Sequence, residues 1–269
     1  GPGDHTFLWT VPDDTSTLAM IKISQVGKST IYDESDPFTI RGGFTIIQPN
    51  SSSRWLSGSI NNTISWMTMG IIPRVYIRYS LNGGGDWNFI NDGSQINNVD
   101  SYNATIPLAL SYNQAQIRIT DANDPAATDT SANFTIHGSL TLLSPNGQDK
   151  FKAGQNDANS RITWSMVGPI ESVYLSLSTN GLNGTYTDIN TSAYQASLFY
   201  YQWSVSTNII SNNCFIRIRD SQDSLVKDES NAAFKIMDNF TVGSPSGGER
   251  WEVGSQQKVT WSSCALASQ

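Results

Sequence analysis

Apolar and polar residues alternate over short runs along this chain, and the runs return in a fixed order. FTIIQ (44–48), NTISWMT (62–68), RVYIRYSL (74–81), AQIRIT (115–120) and NFTIH (133–137) each put apolar side chains at about every second position, between turns rich in Gly, Asn and Pro. A period of two marks a strand with one buried face. Shorter runs at RWLSG (54–58), WNFIN (87–91) and YNATIPL (102–108) bring the expectation to seven or eight strands between 43 and 137. Helix signals are lacking throughout. Strands of this length and spacing predict an all-β antiparallel sandwich of the immunoglobulin or fibronectin type III kind.

The pattern then repeats. QPNSSSRWLSGSINNTISW (48–66), SPNGQDKFKAGQNDANSRITW (144–164) and SPSGGERWEVGSQQKVTW (244–261) share a proline, an aromatic six residues on, a glycine three beyond that, and a closing tryptophan. The prolines stand at 49, 145 and 245, intervals of 96 and 100, so the repeating unit is a whole domain. Residues 43–137 and 138–237 read as complete modules. Residues 1–42 match the second half of a module, with LWTVP, MIKIS and FTIRG as strands, and 238–269 match the first half. Alternation assigns Trp66, Trp164, Trp203 and Trp261, with Phe38, Phe134 and Phe234, to the core. Connections of about four residues between modules predict a semi-rigid, elongated array, which lengthens by adding modules.

Composition narrows the function classes. Net charge is −7 with only 16 Lys and Arg, too few cations to neutralise many phosphates, so nucleic acid is not an expected partner. Charged residues are 14% of the chain, a balance typical of extracellular β-modules. No run of 18 apolar residues occurs, so no membrane insertion is expected within this segment. Cys214 and Cys264 fall at non-equivalent points of different repeats, and no disulfide is built into the module.

The motifs P-x-G-G-E-x-W-x-x-G-x-x-x-x-V-T-W, Y-x-W-x-V, I-R-I-x-D and D-x-S-x-x-F-x-I run through the repeats. Their positions include Pro245, Gly248, Trp251, Gly254 and Trp261, then Trp203, Arg217, Asp220, Ser230 and Phe234. In these residues the chain resembles the immunoglobulin-like repeat of the Ser/Thr-rich GPI-anchored membrane-protein family, related to the N-terminal domain of fungal cell-wall glucan-assembly proteins. The first complete module departs from the pattern at Ser51–Ser53 and at Ala104, which stands where the next module has Trp203. The resemblance implies a surface-protein module and carries no catalytic residues.

Little in the chain points to chemistry. Only His5 and His137 are present, and no phosphate loop, dinucleotide fingerprint or zinc spacing occurs, so neither an enzyme nor a cofactor is expected. SLNGGGDW (80–87) approximates the hairpin box of sialidase propellers but reads as a Gly-rich turn pinned by Trp87. Asp121, Asp124 and Asp129, then Asp220, Asp223, Asp228 and Glu229, are oxygen-donor clusters that read either as turn carboxylates or as a calcium site. In FYYQW (199–203), alternation puts Phe199, Tyr201 and Trp203 inward and Tyr200 outward. Six sequons, at Asn61, Asn103, Asn133, Asn183, Asn190 and Asn239, are the candidate glycosylation sites of a secreted glycoprotein, in a number close to chance.

These features favour a non-catalytic structural array at the cell surface or outside the cell: a stalk, an adhesin or a filament subunit. Its expected partners are further copies of itself, joined by strand complementation, or adjoining modules of a longer chain. The alternatives are carbohydrate- or cell-wall-binding modules, with glycans as partners, and the accessory region of a large secreted enzyme.

Overall fold

The computed structural model describes residues 3–264. They fall into two compact units, one running to Pro107 and including Ser111–Ile136, the other Leu108–Leu110 together with the chain from His137 onward. Each unit holds one β-sandwich.

In the first unit, strands Gly43–Gln48, Asn62–Met69 and Ser101–Ala104 form a three-stranded sheet with Asn62–Met69 in the middle. The larger sheet runs in the order Ile96–Asn97, Arg74–Ser80, Ser111–Asp121, Phe134–His137 and Arg54–Leu56, with Asn88–Phe89 and Thr128–Thr130 pairing at its flanks. Alternation on the central strands turns Ile64 and Trp66 toward Val75, Ile77, Ile117 and Ile119, all of them buried. The second unit repeats this plan. Ser139–Ser144, Arg161–Val167 and Tyr200–Gln202 make its smaller sheet. Lys150–Lys152, Phe234–Met237, Ser211–Asp220, Ser172–Ser178 and Tyr186–Asp188 make the larger one. Trp164, Trp203, Phe134 and Phe234 are all buried.

In the two complete sandwiches the repeated proline marks where the chain changes sheets. Pro49, Pro145 and Pro245 each follow a cis peptide bond, and the strand register shifts by one residue just before each. Proline has no N–H to continue the ladder, so the strand ends there. Beyond it the chain crosses to the other sheet, where Lys150–Lys152 lies parallel to Phe234–Met237. The expected all-antiparallel pairing therefore fails at Lys150–Lys152. The repeated glycine then turns the chain: Gly58, Gly154 and Gly254 have φ of 72°, 77° and 85°. Gly58 N–H donates to Pro107 O and Gly154 N–H to Val205 O.

The flanking segments correct three expectations. LWTVP (8–12) is not a strand, because no partner strand lies beside it among the described residues. Phe38, on the two-stranded pairing of Ser16–Ala19 with Phe38–Ile40, is half-buried, with an edge-on contact to Trp9 at 6.4 Å in place of a core. Trp261 is 65% exposed, where its counterpart Trp164 is 1% exposed. It lies on the two-stranded pairing of Phe240–Ser244 with Thr260–Ser263, which no second sheet covers among the described residues.

Candidate functional site

Aromatic and ionisable side chains converge on the outer face of the larger sheet in each sandwich. Inward positions of the central strands are taken by Val and Ile, so Tyr76, Arg78 and Arg118 in the first sandwich face outward, as do Tyr174, Arg217 and Arg219 in the second. In the second sandwich the Arg217 guanidinium sits 3.7 Å from the centre of the Tyr186 ring, and its Nε donates to Glu229 Oε1 at 2.6 Å. Lys227 Nζ reaches the same carboxylate at 3.6 Å, and Arg219 lies 4.5 Å from the Tyr174 ring. Burial, and then the Glu229 charge, push the Tyr186 phenol above its ordinary pKa. Its face is thus closed by an ion pair.

The first sandwich differs. Arg118 lies 3.9 Å from the Trp87 ring and donates from Nε to the Thr130 hydroxyl at 3.0 Å. Arg78 lies 4.4 Å from Phe89 and 5.7 Å from Tyr76, whose hydroxyl accepts from Gln95 Nε2 at 3.1 Å. Trp87 is placed by the SLNGGGDW turn, in which Ser80 Oγ donates to Asn82 Oδ1, Gly84 N–H donates back to Ser80 Oγ, and Asn82 Nδ2 donates to Asp86. Gly83 and Gly84 supply its positive φ, 68° and 90°. Sequence reasoning found the turn and missed the arginines, because their alignment depends on cross-strand register.

The acidic clusters do different work. Asp121 and Asp220 accept the N–H two residues on, from Asn123 and Gln222, and Asp124 and Asp223 accept from Ala126 and Leu225. Asp129 and Asp228 reach across to the smaller sheet and accept the N–H of Ile46 (2.8 Å) and Leu142 (2.7 Å). Arg41 Nε donates to Asp124 at 2.6 Å, and that bond holds the Asp124 carboxyl below the usual carboxylate range. Among the described residues no three His, Cys, Asp or Glu side chains are grouped to hold a metal ion.

Of the sequons, Asn61, Asn103, Asn133 and Asn183 are exposed and Asn239 is half-buried. Asn190 is a correction: it is 7% exposed, its Oδ1 accepts from Leu175 N–H at 2.6 Å, and its Nδ2 donates to the carbonyls of Val173 and Ser192. Its amide nitrogen ties a loop to the larger sheet and has no room for a sugar. In FYYQW, Trp203 is buried and Tyr201 packs on the core, but Phe199 is 48% exposed. It ends a 3₁₀ turn, Ala196–Leu198, with φ of 61°, so the strand alternation does not extend back to it. Tyr200 is exposed, with Arg161 4.4 Å from its ring.

His5 is exposed, and a ring nitrogen of His137 lies 2.7 Å from Gly138 O. Burial pushes the Cys214 thiol up, which makes it a poor nucleophile. A cleft on the second sandwich is lined by Leu177, Ile189, Tyr201, Trp203 and Ile209, with Thr187, Asp188, Ser204 and Ser206 as its polar members.

No protein-family model and no curated protein sequence matches the chain. Among solved structures it is similar to the fibronectin(III)-like modules of CbhA from Clostridium thermocellum, at 15% identity over 72% of this chain and 93% of that one, TM-score 0.25. The N-terminal four Ig domains of Dscam1 isoform 4.44 match at 12% identity over 76% of this chain and 50% of that one, TM-score 0.34. The FN1–FN3 domains of chicken CNTN1 match at 12% identity over 74% and 69%, TM-score 0.26. The sheets themselves make the chain a tandem of Ig/fibronectin-III-like sandwiches.

Proposed function

We propose that this chain is a non-catalytic array of β-sandwich modules from an extracellular or cell-surface protein, acting as a stalk, adhesin or filament subunit of the kind the sequence resembles. One observation carries the reading. The acidic groups that sequence alone offers as a candidate site serve, position for position in both sandwiches, to hold turns and join sheets, Asp129 with Asp228 and Asp121 with Asp220, and the Ser131 and Ser230 hydroxyls likewise accept a backbone N–H at matching points. Groups committed to the same backbone partners twice over are architecture.

Assembly would go through the uncovered faces. Phe240, Val242 and Trp261 are 58%, 58% and 65% exposed, while Leu140, Leu142 and Trp164 at the matching positions are 6%, 0% and 1% exposed. A second sheet completes this face, supplied either by the 1–42 segment of another copy, through strand complementation, or by an adjoining module. Sedimentation of the purified chain over a wide concentration range separates the two. Concentration-dependent chains of subunits support complementation. A monomer at the highest concentration, with Trp261 emission still that of a water-exposed indole, rejects it.

A second reading, a carbohydrate- or cell-wall-binding module, draws on Tyr200, an exposed ring backed by Arg161. Retention on insoluble glucan that disappears in Tyr200→Ala supports it; equal retention of both proteins removes it.

A further inference from the structure

The two sandwiches diverge most at one cross-strand pair. Arg78 and Arg118 stand directly opposite each other on adjacent strands of the first sandwich, with Cα atoms about 5 Å apart. Like charges in that relation are destabilising. In the second sandwich the same register sets Ser176 beside Arg217, and Glu229 on the other side neutralises it. In the first, the other neighbour of Arg118 is Thr130, an uncharged hydroxyl. Among the described residues neither Arg78 nor Arg118 has an ion-pair partner, in a chain whose net charge is −7.

Both side chains are nevertheless held in place. Trp87 supports the Arg118 guanidinium and Phe89 that of Arg78, and both arginines are half-exposed. A guanidinium resting on a ring keeps its in-plane N–H groups for a planar or tetrahedral oxyanion. Two of them on opposed residues of adjacent strands, without an ion-pair partner among the described residues, make this face locally positive.

We propose that this outer face of the first sandwich binds an anionic glycan, with Arg78 and Arg118 as the cationic groups that meet its sulfates or carboxylates. A sugar polymer fits this face, because the Phe89 ring, 40% exposed, offers a pyranose a flat apolar surface beside the arginines. The accessible polar groups around the pair are the Tyr76 hydroxyl, the Gln95 amide and the Thr130 hydroxyl, suited to sugar hydroxyls. The site stands independently of the array reading, since a spacer needs no such charge pair.

Calorimetric titration of the full chain tests it, with a heparin hexasaccharide and a galacturonate hexasaccharide as the sulfate and carboxylate probes, and maltohexaose and polyglutamate as controls. One or both acidic sugars should bind and the controls should not. Arg78→Gln and Arg118→Gln should each weaken binding about tenfold or more, the scale of a lost charge-assisted hydrogen bond. Thr130→Glu copies the second sandwich, exchanging the Thr130 hydroxyl that accepts from Arg118 for a carboxylate that pairs with it. It should abolish binding while the melting temperature is kept or raised, so the test survives an arginine variant that fails to fold. Arg217→Gln should bind like the parent. No binding of either acidic sugar, undiminished binding by Thr130→Glu, or equal binding of polyglutamate would overturn the proposal.

Discussion

In one sandwich the N–H of Ile117 donates to Ser131 Oγ, and in the other the N–H of Ile216 donates to Ser230 Oγ. Ser111 Oγ reaches the carbonyl of Leu81, and Ser211 Oγ that of Thr179, both at 2.7 Å. A slip of one residue, about 3.3 Å along the strand, would lose such agreement. On the outer faces the agreement is partial: Tyr76 answers to Tyr174 and Arg118 to Arg217, but Arg78 answers to Ser176, Phe89 to Asp188 and Thr130 to Glu229. Burial fixes the inner residues because each must satisfy a backbone group away from water, whereas outward residues are released to vary and to acquire partners. Difference between repeats is therefore where function is to be sought.

The comparison breaks most visibly at the tryptophans. Trp164→Ala should destabilise the second sandwich by about 3–5 kcal/mol, because the ring is buried and its Nε1 donates to Ala196 O. Trp261→Ala should stay within about 0.5 kcal/mol, since its ring is exposed. Urea unfolding followed by circular dichroism measures both, and an equal loss would mean that Trp261 is covered in solution.

Next come the carboxylates that join the sheets. Asp129→Ala and Asp228→Ala each strand a backbone N–H between sheets and should cost about 1–3 kcal/mol apiece. The same cost in both sandwiches, in the same unfolding assay, is the expected result; indifference in either would show that the bond there is replaced by water.

A smaller effect sharpens the outer-face contrast. Glu229→Gln should cost up to about 1 kcal/mol, as its ion pair with Arg217 is only partly shielded from solvent. Thr130→Glu, placing the missing charge beside Arg118, should gain up to about the same amount. Opposite signs in thermal melts are the prediction.

The smallest effect is acid-dependent. Asp124 titrates below its ordinary value in the folded protein because Arg41 donates to it. Its contribution is thus present above the unfolded carboxylate pKa of 3.8 and fades as pH falls through the lower folded value. Melting temperatures of the parent and of Arg41→Gln should converge as pH drops through that window; a constant gap would exclude the pair as the cause.

Strands with strong alternation were legible from sequence, and so was the inward placing of Trp66 and Trp164. Thr128–Thr130 was not, since TDT has no apolar member and becomes a strand only through pairing with Arg118–Thr120. The roles of Asp129 and Asp228 were hidden for a related reason: each partner lies more than 80 residues away, and a carboxylate in a turn-rich stretch reads as solvated. Phe199 misled because alternation assumes a continuous strand, and a left-handed residue ends one. The Arg78–Arg118 pair needed register, which no local pattern contains.

The parallel pairing of Lys150–Lys152 with Phe234–Met237 has a mechanical consequence. In a parallel pair, the end at which the chain arrives on one strand and the end at which it leaves the other lie at opposite extremes. Tension passed along the chain would therefore slide the two strands past one another and load their hydrogen bonds together, where an antiparallel hairpin pulled from its open end parts one bond at a time. A three-residue contact at the border of the second sandwich thus works as a shear lock, and its rupture force in single-molecule stretching is a property of topology more than of sequence.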